Sequence, residues 1–458
     1  MSGAPPEPPP YSLTVLGHDG SPLAAEAREP LERADLVVGG ARHLAALPVP
    51  DGARTVVMGD VRAALDEIDA AAAAGDGRRI VVVASGDPGF FGIVRALRER
   101  GHRPRVLPAL SSVARAFARA GLPWDDALVV SAHGRELRRA VNACRAHPKV
   151  AVLTAPGAGP AELARALFPQ TPRTFVVCED LGGPRERVVT VRPAEASTRP
   201  WHDPNVVLVL DPRRAVPGER GWIAGPRPGP GGWALPDEAF GPGPVGTTAE
   251  VRALALARLG PRIGDLVWDV GAGAGEVGIE CARFGAAVVA VERDEAACER
   301  VRGNVRAHRV KVAVSRGTAP AVLEHLPDPD AVFVGGGGPE VVRACASRAL
   351  RSVVVVTAGP DRVRAAVDAL RGEALTAHAV RIQAGPALPG GTAGQDPDAA
   401  AAAFVVWGER EGADPSGRWA PAPPPEAAAV TVAALPDPDP APAPDREPGP
   451  GVRDGRRR

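Results

Sequence analysis

The sequence predicts an α/β protein made of two successive blocks. Short β-branched runs alternate with Ala-, Leu- and Arg-rich stretches of helical length through residues 11–211, and the same alternation returns through residues 245–409. Most of the runs are apolar along their whole length, which is typical of strands covered by helices on both faces. We therefore expect two α/β domains with buried, largely parallel sheets.

Length and composition support this division. The chain has 458 residues, more than one ordinary domain, and 45% of them are hydrophobic, so two cores can be filled. Three stretches rich in Pro interrupt the pattern: a leader over 1–10, a linker over 212–244 and a tail over 413–458. The tail has too little apolar surface to fold alone and is expected to be disordered.

Charge and cysteine usage exclude several function classes. The 54 basic residues are balanced by 54 acidic ones, so no basic surface for nucleic acid is expected. The five cysteines show no metal-binding spacing, which predicts reduced thiols, a cytoplasmic location and no metal site. No apolar run approaches the ~18 residues that cross a bilayer, and the leader lacks the apolar core of a signal peptide.

Predicted strands cover most of both blocks. In the first block they are 13–16, 36–38, 80–84, 105–107, 128–130, 150–153, 174–178 and 206–210. In the second block they are 266–270, 288–291, 310–314, 331–334, 352–357 and 403–407. Residues 63–74 are predicted to form a helix that ends at Gly75.

The glycine turn after the first strand of the second block is the most informative segment. The run D-V-G-A-G-A-G over 269–275 places Gly271, Gly273 and Gly275 between a strand and a helix over 277–284. Glycines at such a turn let the backbone approach a ligand closely. Glu292 ends the next predicted strand, where a carboxylate can accept hydrogen bonds from ribose hydroxyls. These residues predict a site for a nucleoside cofactor.

Asp269 helps to choose among such cofactors. A pyrophosphate disfavours an anion at the strand end, whereas the sulfonium of S-adenosylmethionine (SAM) tolerates or attracts one. The turn therefore favours SAM over NAD(P), although an NAD(P)-dependent oxidoreductase and a turn that serves only packing stay open as alternatives. Gly317, Thr318 and Ala319 follow the third strand and are predicted to flank the adenine. The glycines 335–338 predict either an approach for a bulky substrate or a surface turn.

Loops rich in Gly, Ser and Thr follow the strands of the first block. They are S-G-D-P-G over 85–89, P-A-L-S-S over 108–112, S-A-H-G-R over 131–135, Thr154, and E-D-L-G-G over 179–183. Ser111 is predicted to be the N-cap of the following helix. Loops at strand ends commonly line small-molecule sites. By themselves these residues predict a pocket without naming its ligand.

The second block resembles the CbiT-type methyltransferase family, through residues 250–254, 268–275, 317–320 and 327–338. The resemblance implies a Rossmann-like class I SAM methyltransferase domain that methylates carbon 15 of a precorrin and decarboxylates its ring C acetate. It implies that SAM is bound by Asp269, Gly271, Gly273, Gly275, Glu292, Gly317, Thr318 and Ala319. The family's T-K-R-E is Thr247-Thr248-Ala249-Glu250 here, without the basic pair. Arg252 or another arginine would then meet the substrate carboxylates, or that role is dispensable.

The first block resembles the CbiE-type tetrapyrrole methylases, through S-G-D-P, P-x-x-S-S, H-G-R and the segment 34–44. The resemblance implies a two-lobed tetrapyrrole methylase domain that binds SAM folded between its lobes and methylates carbon 5. The implied cofactor contacts are Gly86, Asp87, Ser111, Ser112, Ala132, His133 and Thr154. The family's G-x-G-x-G loop is L-G-H-D-G over 16–20, so His18 and Asp19 are expected to narrow it.

The two resemblances together are typical of the decarboxylating precorrin-6Y methyltransferases of cobalamin biosynthesis (the CobL-like family). They imply SAM at two sites, an anionic corrin precursor as substrate, and a homo-oligomer. We hypothesise that arginine side chains near both sites clamp the acetates and propionates of that substrate. The sequence assigns no catalytic residue. His133 is expected to orient a loop or contact the cofactor, because placing the reacting carbon contributes roughly 7–11 kcal/mol and outweighs help from a base. A SAM- or tetrapyrrole-binding regulator without catalysis and a methyltransferase for another substrate stay open as alternatives.

Overall fold

The structure is a computed structural model that describes residues 11–74, 76–133, 135–169, 171–213, 224–225, 229–241, 246–384 and 402–412. The predicted leader over 1–10 and the predicted tail over 413–458 lie outside the described residues. So do Gly75, where a helix was predicted to end, and 214–223, 226–228 and 242–244 of the predicted linker. Within the described ranges, no helix is both long and apolar enough to cross a membrane.

A parallel five-stranded sheet organises the first lobe, in the order β3-β2-β4-β1-β5. Alternate residues of its central strands pack into two separate apolar clusters, one on each face of the sheet. The strands are Ser12–His18 (β1), Leu36–Gly39 (β2), Arg54–Val57 (β3), Arg79–Ser85 (β4) and Arg105–Leu107 (β5). The helices are Ala25–Glu32 (α1), Ala41–Ala46 (α2), Val61–Ala73 (α3) and Val94–Glu99 (α4).

The second lobe contains a mixed sheet. Its strands are Leu128–Ser131 (β6), Lys149–Leu153 (β7), Thr174–Glu179 (β8), Arg187–Val191 (β9) and Asn205–Leu210 (β10), and its helices are Ser112–Ala120 (α5), Leu137–Ala146 (α6), Pro160–Leu167 (α7) and Pro193–Thr198 (α8). The order is β6-β7-β10-β8-β9, and only the β6–β7 pair is parallel. The prediction of a largely parallel sheet is therefore wrong here. β10 is fully buried between β7 and β8, and a buried antiparallel strand is as apolar as a parallel one.

The third sheet has seven strands in the order β13-β12-β11-β14-β15-β17-β16. They are Leu266–Val270 (β11), Ala287–Glu292 (β12), Ala313–Arg316 (β13), Ala331–Val334 (β14), Ser352–Thr357 (β15), Leu375–Ile382 (β16) and Ala403–Arg410 (β17). The first five in this order are parallel, while β17 and β16 pair antiparallel at one edge. The helices are Ala249–Leu259 (α9), Glu276–Arg283 (α10), Glu295–Ala307 (α11), Pro339–Arg348 (α12) and Pro360–Gly372 (α13). The strand order reverses between β11 and β14.

Polar contacts from α6 join the second lobe to the third sheet. The Arg138 guanidinium donates to both carboxylate oxygens of Asp330, at 2.7 and 2.6 Å. Asp330 immediately precedes β14 and also accepts a hydrogen bond from the Leu266 backbone (2.7 Å). The Asn142 side chain donates to the carbonyl oxygen of Gly264 (3.1 Å). We call the Arg138–Asp330 contact the interdomain ion pair.

Candidate functional site

The glycine turn lies where the order of the third sheet reverses. The turn after β11 has positive φ angles at Gly271 (+75°), Gly273 (+58°) and Gly275 (+84°). Residues that carry a side chain rarely adopt this backbone conformation. A Cβ on Gly271 would lie 2.9 Å from the backbone nitrogen of Gly336 in the loop after β14. The two loops therefore touch at the carboxyl ends of adjacent strands, which is where ligands bind in open α/β sheets.

Glu292 lies over this turn, at the position that the sequence predicts. One carboxylate oxygen accepts a hydrogen bond from the Gly273 backbone (3.0 Å), and the other accepts from the backbones of Arg293 (2.8 Å) and Asp294 (3.0 Å). Its side chain is half-buried, at the end of β12. The arrangement fixes a carboxylate beside the turn, where two hydroxyls of a ribose can reach it.

Asp269 lies beneath the turn. It is 1% exposed, and its Oδ2 accepts a hydrogen bond from the Gly278 backbone in α10 (2.9 Å). Burial raises the pKa of Asp269 to about 8; the Gly278 N–H opposes the rise, and the charges of Glu276 and Glu292 add to it. Through this hydrogen bond Asp269 supports the start of α10, and its contact with a sulfonium stays a prediction.

Residues Gly317 to Ala319 lie on the other side of Glu292. β13 pairs with β12 so that Arg316 is opposite Glu292, and the Gly317 backbone donates to the carbonyl oxygen of Glu292 (3.0 Å). Thr318 is exposed, whereas Gly317 and Ala319 are half-buried. The structure therefore brings the turn, Glu292 and this segment together along one edge of the sheet.

Arg252 cannot meet substrate carboxylates, so that alternative for the missing basic pair is wrong. Its side chain is fully buried, with an ion pair to Glu280 (3.3 Å) and a hydrogen bond to the carbonyl oxygen of Thr247 (2.7 Å). It also donates to the Leu235 backbone and lies over the Phe240 ring at 4.8 Å. These contacts hold the segment before α9 against α10, so Arg252 has a structural role.

A cavity of about 750 Å³ lies between the first two lobes. Its walls come from the carboxyl ends of β1 and β4 in one lobe and from the loops after β7 and β8 in the other. Of the residues that the family resemblance implies, Gly86, Ser112 and Thr154 line it. The volume falls within the range of small-molecule sites, which is about 300–1,000 Å³.

The other four implied residues lie outside the lining of this cavity. Ser111 caps α5 by accepting a hydrogen bond from the Ala114 backbone (3.1 Å), which confirms the predicted N-cap. Asp87 accepts from the Gly89 backbone (2.8 Å). Ala132 is buried beside the loop, and His133 is exposed. These four residues are close in sequence to cavity-lining residues or to the loops between strands, and their predicted contacts with the cofactor stay predictions.

The L-G-H-D-G loop brings the two lobes into contact. Asp19 forms an ion pair with Arg115 of α5 (2.5 Å), and both residues line the cavity. A Cβ on Gly20 would overlap the backbone of Gly182 in the loop after β8. These contacts hold the L-G-H-D-G loop against the second lobe at the edge of the cavity.

The sequence did not predict a series of hydrogen-bonded polar side chains that lies at the cavity wall. His18 and His43 lie 3.0 Å apart between their Nδ1 atoms, His43 Nε2 is 2.9 Å from Ser85 Oγ, and Arg42 donates to Ser85 Oγ (2.6 Å). Burial lowers the pKa of His43 to about 4, and Arg42 and His18 act in the same direction. His18 and Ser85 end parallel strands, and this position was the sequence signal that could have found them.

The described residues contain no group of three or more His, Cys, Asp or Glu side chains arranged to hold a metal ion. All five cysteines are buried and free of disulfides.

Comparison with known proteins identifies both halves of the chain. Residues 19–197 match the family described as tetrapyrrole (corrin/porphyrin) methylases, and residues 238–396 match the precorrin methyltransferase domain family. A Sinorhizobium protein named precorrin-6Y C(5,15)-methyltransferase [decarboxylating] is 37% identical over 74% of this chain and 82% of its own length.

Two shorter relatives match parts of the chain. The Salmonella typhimurium cobalt-precorrin-7 C(5)-methyltransferase is 36% identical over 44% of this chain and all of its own length. A Pyrobaculum calidifontis protein named probable cobalt-precorrin-6B C(15)-methyltransferase (decarboxylating) is 39% identical over 30% of this chain and 75% of its own length. With the match to the Sinorhizobium protein, these similarities show that the chain belongs to the precorrin-6Y C(5,15)-methyltransferase (decarboxylating) family.

Proposed function

We propose that this chain methylates precorrin-6B at carbons 5 and 15 and decarboxylates the ring C acetate, with SAM as the methyl donor at two separate sites. The proposed carbon 5 domain is 11–211 and the proposed carbon 15 domain is 245–409, joined by 212–244. One observation carries the proposal: among the described residues, loop-lined sites lie at the carboxyl ends of parallel strands in two different sheets. The names of the C(5), C(15) and C(5,15) relatives support a proposal with one methylation at each site.

The residues of the carbon 15 site fit a nucleoside cofactor. The positive φ angles at Gly271, Gly273 and Gly275 leave the turn bare, so a ligand can approach its backbone. In the proposal Glu292 accepts hydrogen bonds from the ribose, and residues 317–319 flank the adenine. Asp269 is a positioning residue that acts through α10. When bound, SAM supplies a methyl group activated by its sulfonium.

The residues of the carbon 5 cavity fit an anionic tetrapyrrole beside the cofactor. Arg28 and Arg42 line the cavity, and neither has a carboxylate partner among the described residues. Arg115 is already paired with Asp19. Guanidinium groups bind carboxylates through two parallel hydrogen bonds, so Arg28 and Arg42 are the proposed clamp for acetate and propionate side chains. Precorrin binding that is insensitive to salt would count against this clamp.

The principal test is to incubate the protein with precorrin-6B and SAM and to measure the product mass. We expect a gain of two methyl groups and the loss of one carbon dioxide. A folded protein that binds the precorrin without methylating it would support the regulatory alternative. Thermal-shift assays with SAM and with NAD(P) test the oxidoreductase alternative, which predicts stabilisation by NAD(P) only.

The assignment of sites is tested by substitution at Glu292. We expect Glu292→Ala to abolish carbon 15 methylation and decarboxylation and to leave carbon 5 methylation intact. Glu299→Ala is the matched control, because Glu299 is an exposed residue of α11. Loss of both methylations in a folded Glu292→Ala protein would show that the two sites do not act independently.

Two further expectations belong to this proposal. Five buried cysteines without disulfides fit an enzyme of the reducing cytoplasm. The homo-oligomer implied by the family resemblance stays a prediction, and a measurement of molar mass in solution tests it.

A further inference from the structure

Two buried histidines face each other at the wall of the carbon 5 cavity. His18, at the end of β1, is 8% exposed, and His43, in α2, is 7% exposed. Their rings are nearly perpendicular, with centroids 5.3 Å apart and the Nδ1 atoms in hydrogen-bond contact. Both line the cavity. A buried imidazole pair is tolerated when its polar atoms are bonded, and three of the four ring nitrogens are bonded here, which leaves His18 Nε2.

The hydrogen bonds restrict where protons can lie. Arg42 can only donate, so Ser85 Oγ accepts from it and can still exchange a proton with His43 Nε2. Only one proton fits between the two Nδ1 atoms. The pair therefore has two tautomeric states, and moving that proton changes which imidazole is able to accept another. His18 Nε2 has no hydrogen-bond partner among the described residues, so the series of side-chain hydrogen bonds ends at this atom.

The reaction creates a need for such a group, and this step rests on the proposed function. Ring-carbon π electrons form the new bond to the methyl group, while the sulfur–methyl bond breaks and its electron pair stays on sulfur. The positive charge of the donor passes to the tetrapyrrole, which must then release one proton to become neutral. A proton acceptor inside the cavity completes the balance.

We propose that the His18–His43 pair accepts the proton released on carbon 5 methylation, with His18 Nε2 taking it and the Nδ1–Nδ1 hydrogen bond sharing the charge with His43. Among the described residues that line the cavity, His18 and His43 are the histidines, and an imidazole is the neutral base that this wall provides. His133, the histidine of the H-G-R loop, is exposed and lies outside the cavity lining.

The surrounding charges keep the pair neutral before the reaction. Burial lowers the pKa of both histidines, Arg42 lowers each further, and Asp19 opposes the change at His18. Neutral imidazoles do not repel a cationic methyl donor, and they are free to take a proton afterwards. The other charged groups around the cavity are Arg28 from α1, Arg115 from α5 and Asp180 after β8.

The test follows carbon 5 and carbon 15 methylation in the same reaction, so carbon 15 methylation and decarboxylation report that each variant is folded. We expect His18→Ala to lower kcat for carbon 5 methylation about 100-fold with little change in KM. Added imidazole should restore part of that rate. In the wild type the carbon 5 rate should fall as the pH drops through the lowered pKa of the pair, and His18→Ala should lack this acid limb.

His43→Gln is the second variant, because it keeps a polar side chain of similar size and interrupts the contact to His18. We expect it to lower carbon 5 methylation about 10-fold and to displace the acid limb. The matched control is His102→Gln. His102 is also buried, at 6% exposed, but it bonds to Tyr11 and Asp69 and does not line the cavity. It should keep the wild-type rate and acid limb.

The outcomes separate this inference from the proposed function. If the wild type methylates both carbons while His18→Ala and His43→Gln keep its carbon 5 rate and acid limb, the inference is overturned and the function stands. A rate loss that imidazole does not restore, with KM raised instead of kcat lowered, also overturns it. If the wild type methylates neither carbon, the proposed function itself fails.

Discussion

Replacement of Asp269 by Asn should stabilise the domain of the third sheet at alkaline pH. The carboxyl is buried, receives one hydrogen bond from the Gly278 backbone, and has its pKa raised by burial from 3.8 to about 8. Because the folded pKa exceeds the unfolded one, the folded state holds a proton that the unfolded state releases. The associated stability is fully present below about pH 4 and is lost as the pH rises to about 8.

The size of the effect follows from the linkage between pKa and stability. Each pKa unit corresponds to about 1.4 kcal/mol, so the rise from about pH 5 to about pH 8 costs the wild type at most about 4 kcal/mol. Relaxation around the carboxylate reduces this value. Asp269→Asn keeps an oxygen that accepts from the Gly278 N–H and removes the ionisation, so we expect it to lose little stability over the same range.

Urea unfolding at these two pH values measures the difference. Tryptophan fluorescence is a suitable signal because Trp268 is fully buried beside Asp269 in β11. Asp361→Asn is the control, since the Asp361 side chain is 97% exposed, and it should behave as the wild type does. Equal pH dependence of the unfolding free energy in the wild type and in Asp269→Asn would refute the reasoning.

Three other changes test separate parts of the molecule. Gly17→Ala should abolish carbon 5 methylation and spare carbon 15, because a Cβ there would overlap the backbone oxygen of Gly86; equal methylation at both carbons, by product mass, would contradict this. Calorimetric titration should find two SAM molecules per wild-type chain and one per Glu292→Ala chain; an unchanged count would remove Glu292 from the site. Arg138→Ala should lower the unfolding free energy by about 1–3 kcal/mol, because Asp330 loses a charged donor, and an unaltered denaturation curve would argue against it.

The buried part of the fold could be predicted from sequence, and the exposed edges could not. Every predicted strand overlaps an observed one, although β13 begins three residues later than predicted. The three strands that the prediction missed are β3, β9 and β16, and most of their residues are exposed or half-buried. An edge strand has little apolar patterning, because its partners are on one side only and solvent covers much of it.

The two sites also differ in how far the sequence could predict them. The glycine turn and Glu292 belong to one strand–turn–helix–strand unit, so their spacing along the chain reflects their distance in space. The cavity of the first domain combines His18, His43 and Ser85, which follow three different strands and meet only after the sheet has formed. The prediction for Arg252 failed for the opposite reason. Arg252 is close to a motif in sequence, but its charged side chain is buried in the core.

The interdomain ion pair also bears on how this chain can be divided. The Salmonella typhimurium relative exists as a separate protein that matches 44% of the chain. Cutting the present chain between its halves would leave Asp330 without its bond to Arg138 unless the halves reassociated, and water would then have to hydrate Asn142 and the Gly264 carbonyl. The single chain keeps these contacts intramolecular and fixes the two halves at a one-to-one ratio.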